Sequence, residues 1–284
     1  MRFFWKRVLL PLIKVSAFFV LYYYGGAYLL KQHVWPALNK LPSDVRIGLH
    51  PFFELDMGRI VDRLFQFIWT LILFFGFTLF VNKKPLKKNI LFQPQYKLRT
   101  FLKGAVFGSI MVGILILLSI ATDTVLIKAI HLYPDDIIET LALYIFLIAL
   151  TVIAEELALR GYILETLRES WGTQWAVWAS SLFFGLSYMG DSYYYAYTAF
   201  VAGLLLGYCY VWYGIYYTIG WHLMWSLIES VFYSGKIVKY IVRNPFLIGD
   251  KTISPDQEGF LVLPILLIGL ALLLAIHKTE WRLR

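Results

Sequence analysis

The chain is 284 residues long with a formal net charge of +8; 60% of it is hydrophobic, 18% aromatic and only 15% charged. An ordinary soluble domain runs near 45–50% apolar and about 25% charged, so this composition excludes a soluble domain, and its low charge and high hydrophobicity exclude a disordered chain. Cys209 is the single cysteine, which excludes an intrachain disulfide scaffold. What remains is an all-α, polytopic bundle of transmembrane helices.

A membrane helix needs about 20 mainly apolar residues to cross roughly 30 Å of hydrocarbon. Eight such runs occur, at 8–30, 64–81, 104–121, 137–154, 175–189, 196–214, 218–234 and 259–277. The fifth and seventh are the weakest, being short or interrupted by polar residues. A transmembrane barrel would instead alternate with period two. The first run follows a basic start, is long, and is followed by no small-x-small cleavage site, so it reads as a retained span. Tyr22, Tyr23, Tyr24 and Tyr28 near its outer half fit an interfacial aromatic belt. The stretch 41–60, with Pro51, is expected along the outer surface. No polar segment is long enough to bury a soluble core. The chain divides into N-terminal helices and loops at 1–136, a core at 137–234, and an outer loop with a last helix at 235–284.

Lys and Arg counts orient the spans. With both termini inside, the inner segments hold 15 of the 26 basic residues and the outer ones 10, and Lys14 lies within the first span. The segment 82–103 decides the matter, with seven basic residues and no acidic one. Both termini of this integral membrane protein are therefore expected in the cytoplasm. The same rule accounts for the net charge. Nucleic acid is not an expected partner, because the basic residues are spread over loops rather than gathered on one soluble face.

Ionisable residues at membrane depth are costly and mark a function or a partner. Glu155 and Glu156 close the fourth run, and Arg160 follows four residues after Glu156. On a helix Glu156 and Arg160 face each other and can pair. Glu155, rotated by about 100°, is free to point into a cavity. The plainer reading is that these charges mark the inner end of the span, with Glu165, Arg168 and Glu169 continuing it. In the seventh run His222 and Ser226 are four apart on one face, and Glu229 lies seven beyond His222. A lone histidine packs or catalyses; among Trp221, Leu223, Met224 and Trp225 both readings stand. Tyr188 ends the fifth run, where tyrosine is usually an interface anchor. Gly104 with Gly108, and Gly203 with Gly207, form GxxxG pairs that read as close helix packing. Cys209, within a span, reads as a packing residue.

Together these segments resemble the CAAX prenyl endopeptidases and their bacterial relatives, the CPBP (Abi-type) family linked to bacteriocin processing and immunity. That family carries Glu-Glu-x-x-x-Arg, matched in full by Glu155, Glu156 and Arg160. Its Phe-x-x-x-His falls on Phe184 to Tyr188, with the histidine replaced. Its His-x-x-x-Asn falls on His222 to Ser226, with the amide replaced. The resemblance implies a CAAX-protease-like helical core and intramembrane peptide-bond hydrolysis on a membrane-associated, prenylated or leader peptide. By position it implies that Glu155 acts as general base, that Glu156 and Arg160 form a structural pair, and that His222 donates to an oxyanion. Tyr188 and Ser226 would occupy the two remaining places. A phenol, with an ordinary pKa of about 10, is no base at neutral pH, but it donates a hydrogen bond. No HExxH occurs and His222 has no second histidine at ligand spacing, so neither metal nor other cofactor is expected. Two alternatives stay open: a catalytically impaired relative that binds and regulates a membrane partner, and a proton-coupled transporter using the same buried groups.

Overall fold

The computed structural model describes residues 5–39, 57–85, 97–130, 134–233, 237–248 and 259–278. Most of the chain between 41 and 60 lies outside these residues. Each of the eight apolar runs falls on a helix, because an uninterrupted apolar segment in lipid satisfies its backbone only by coiling on itself. Helix α1 spans Trp5–Ala37, α2 Arg59–Val81 and α3 Lys97–Ala121. α4 begins as Pro134–Glu156, widens to π geometry over Leu157–Leu164 and continues as Glu165–Trp171. α5 is Thr173–Ser187, α6 Tyr193–Tyr213, α7 Ile215–Tyr233 and α8 Val262–Ile276. The described segments of α1, α2, α3, α4 and α6 are long and apolar enough to cross a membrane unaided; α8 is apolar but short. The protein is an all-α membrane bundle.

Two findings depart from expectation. First, the fourth span does not end at residue 154. Its apolar stretch runs as Leu141–Trp171, so Glu155 and Glu156 sit near the middle of a continuous helix and not at its inner end. Of the charges that suggested an end, Arg160 pairs with Glu156 at 3.1 Å inside the bundle, whereas Glu165, which accepts from Tyr210 at 2.8 Å and pairs with Arg168, and Glu169 lie further on, toward the end of the helix. Second, two short strands, β1 (Val125–Ile130) after α3 and β2 (Val238–Val242) after α7, pair antiparallel, with Val125 opposite Val242 and Ile130 opposite Val238. The Asp123–Arg243 ion pair closes one end of that ladder.

The glycine pairs set the closest helix contacts. A Cβ at Gly104 or Gly108 would run into the carbonyls of Tyr217 and Trp221, and one at Gly220 into the carbonyl of Phe101. The backbones of α3 and α7 therefore touch, as small residues in membrane helices allow. Gly203 and Gly207 seat α6 on Ser181 and Val177 of α5 in the same way. The sharp reversals between α4 and α5 and between α6 and α7 need Gly172 and Gly214, at φ 81° and 84°, a region closed to most L-residues. Cys209 is fully buried.

The bundle has two distinct ends. At one, Trp171 donates to the carbonyl of Arg7 at 3.1 Å, Lys84 meets Glu169 at 2.5 Å, and Tyr213 bonds His277 at 2.7 Å. This basal end gathers the described start of α1 and the end of α8. At the opposite end lie the strand ladder and the bond from Tyr194 to the carbonyl of Gly259, 2.9 Å.

Candidate active site

The tyrosines near the end of α1 do not form a uniform belt. Tyr24 and Tyr28 are exposed, but Tyr22 is buried at 6% exposure and lines, with Tyr23, a cavity of about 570 Å³. The belt rule predicts depth and says nothing about which way the ring points. Around the cavity stand Glu155 and Thr151 of α4, Phe184 of α5, Tyr188 just past its end, and His222, Ser226 and Glu229 of α7. The volume falls in the range of ligand-binding pockets, about 300–1,000 Å³.

The site is built outward from a buried ion pair. Glu156 is 0% exposed and Arg160 1%. Arg160 donates to Glu156 at 3.1 Å and to the carbonyl of Gly203 at 3.4 Å, and its guanidinium lies over the Phe184 ring at 4.9 Å. One Glu156 oxygen also meets His222 Nδ1 at 2.9 Å. That contact fixes the imidazole plane and turns Nε2 toward Glu155, 3.7 Å away. Glu155 in turn accepts a hydrogen bond from the Tyr188 hydroxyl at 2.9 Å. Tyr188 is held by rings: the edge of Phe184 at 5.5 Å and Tyr195 at 4.2 Å. A chain of polar groups, Tyr188–Glu155–His222–Glu156–Arg160, thus connects three elements.

Of the six residues singled out in the sequence, Glu155, Tyr188, His222 and Ser226 line the cavity, and Glu156 and Arg160 lie behind it. Glu229, seven residues beyond His222, is buried at 4% exposure on the cavity wall. Sequence reasoning missed Tyr22, Tyr144, Arg59, Arg63 and Gln66, which also line it. Among these, Arg59, Arg63 and Gln66 share one face of α2 by their spacing, as Thr151 shares that of Glu155. Among the described residues no group of three His, Cys, Asp or Glu donors has the spacing to hold a metal ion; Glu155, Glu156 and His222 are engaged with one another.

Chemically, the site offers a carboxylate reachable from a water-sized space, an imidazole whose orientation is locked from behind, and a phenol that donates to the carboxylate. Such a set can polarise a water or a carbonyl. Comparison with protein families matches residues 137–228 to the type II CAAX prenyl endopeptidases, described as Rce1-like. That segment carries all six site residues and holds the resemblance read from the motifs. A comparison with curated proteins gives no match.

Proposed function

We propose that this membrane protein, with its CAAX-protease-type core, hydrolyses peptide bonds of a membrane-associated polypeptide, with Glu155 as the base that activates water. The observation that carries the reading is the Glu155 carboxylate on a 570 Å³ cavity, held by Tyr188 at 2.9 Å with His222 Nε2 at 3.7 Å. Glu155 takes a proton from a water in the cavity as its oxygen attacks the scissile carbonyl. His222, whose Nδ1 is held by Glu156 at 2.9 Å, turns Nε2 toward the cavity, where it serves as the donor to the oxyanion. Ser226, one turn further along α7, is a second donor on the same wall. Glu155 then returns its proton to the leaving amine, so the carboxylate ends as it began. Glu156 and Arg160 position the ring without touching substrate. The test is purified protein in liposomes with a pool of synthetic apolar peptides, read by mass spectrometry. Wild type yields cleavage products and Glu155→Gln yields none; equal products from both would overturn the reading.

One observation favours a second reading, a relative that binds a membrane partner without cleaving it. The family's second-motif histidine is Tyr188, and its phenol donates to Glu155 instead of accepting a proton from water. On that reading Glu155→Gln leaves the cellular phenotype intact, and Tyr188→His with Ser226→Asn creates cleavage that the natural chain lacks.

A further inference from the structure

The cavity is polarised along the bundle axis. α2 contributes only Arg59, Arg63 and Gln66, from its first turns; α8 contributes only Val262 and Leu266, again from its start. α6 contributes nothing beyond Leu206, and α7 contributes nothing before Trp221. From each of these helices the lining comes from the part nearer the strand ladder. Arg59, Arg63 and Asp191 are exposed lining residues and mark the mouth. Tyr144 and Glu155 are eleven residues apart on α4, about 17 Å along the helix. The carboxylate therefore stands at the bottom of a well that opens at the end opposite the basal face.

Charge distinguishes the two ends. The basal end carries Lys6, Arg7, Lys83, Lys84, Lys97, Arg99, Lys103, Arg168 and Lys278, against Glu165 and Glu169, among the described residues. The mouth end carries Lys31, Arg59, Arg63, Lys128, Lys239 and Arg243, against Asp62, Asp123 and Asp191, among the residues whose side chains are described. Arg160 and Glu229 are internal and belong to neither end. The excess of Lys and Arg at the basal end makes that the cytoplasmic side.

We infer that the cavity opens away from the cytoplasm, so that its substrate is an exported polypeptide or a segment of a membrane protein exposed on the outer side. The word substrate rests on the peptidase reading; the sidedness does not. The experiment uses the full-length chain and its single native cysteine. Cys209 is buried and stays silent toward a membrane-impermeant maleimide. Asp191→Cys and Ser230→Cys report the mouth and the cavity wall, and Lys83→Cys reports the basal end. Each is made both in the natural background and with Cys209→Ser, so that one background covers a folding defect in the other. In intact spheroplasts the reagent labels positions 191 and 230 and leaves 83 unlabelled until the membrane is permeabilised. Labelling of 83 alone, with 191 and 230 protected, overturns the inference. This readout needs no cleavage, so a chain that proves inactive still reports its sidedness, and an active chain with the reverse labelling refutes the sidedness alone.

Discussion

Arg160→Met tests how the buried ion pair supports the site. In the wild type, Glu156 is 0% exposed and accepts from Arg160 at 3.1 Å and meets His222 at 2.9 Å. Removing the guanidinium leaves a carboxylate buried with one partner, and breaking a buried pair from one side costs about 3–5 kcal/mol. At about 2–4 °C per kcal/mol, the expected fall in Tm is roughly 6–20 °C, read by thermal scanning of detergent-solubilised protein. Arg160→Lys keeps the charge but loses the planar fork that also reaches the Gly203 carbonyl and lies over Phe184; its Tm falls between the two. The double variant Glu156→Leu, Arg160→Met removes both charges together and recovers most of the loss, since apolar replacements of a buried pair are often neutral. A single variant with unchanged Tm, or a double variant as unstable as the single, would refute the claim that electrostatic pairing holds this layer together.

Further outcomes concern the surrounding parts. Tyr188→Phe deletes a hydrogen bond to the Glu155 carboxylate, worth about 1.5–3 kcal/mol; at about 2–4 °C per kcal/mol Tm falls by roughly 3–12 °C, and cleavage of a substrate peptide falls as well. Loss of one oxyanion donor costs about 10²–10³ in rate, so His222→Ala lowers kcat by that factor and leaves KM nearly unchanged. Gly108→Val forces α7 off α3 at the Trp221 carbonyl, next to His222; overpacking costs about 1–3 kcal/mol, and the variant loses activity as well as Tm. The same substitution at Gly113, where nothing lies within 4 Å of a new Cβ, leaves both intact.

The helical bundle was readable because lipid demands it: eight apolar runs became eight helices without competition from other structures. The helix-packing glycines were readable for the same reason, since Gly104 and Gly108 have no side chain to hold lipid or partner at a distance. The length of α4 was not readable. Glu155, Glu156, Arg160, Glu165, Arg168 and Glu169 lower the apparent hydropathy after residue 154, and only the internal pairing of Arg160 with Glu156 shows that the helix runs on past the two glutamates. The direction of Tyr22 was hidden too, because α1 carries a tyrosine run that reaches more than one of its faces. The strand ladder escaped because Val125–Ile130 and Val238–Val242 are short and far apart in the chain. In the candidate site, helical spacing alone separated the face of Glu155 from that of Glu156. It could not show that His222 bridges the two.

The central claim is that Glu155 drives hydrolysis in the cavity. The most direct measurement compares all protein termini in cells carrying the wild-type chain, Glu155→Gln or His222→Ala at equal expression. The account predicts a set of new termini, on exported or membrane proteins, that is present with the wild type and missing in both variants. Identical termini in all three strains would contradict it.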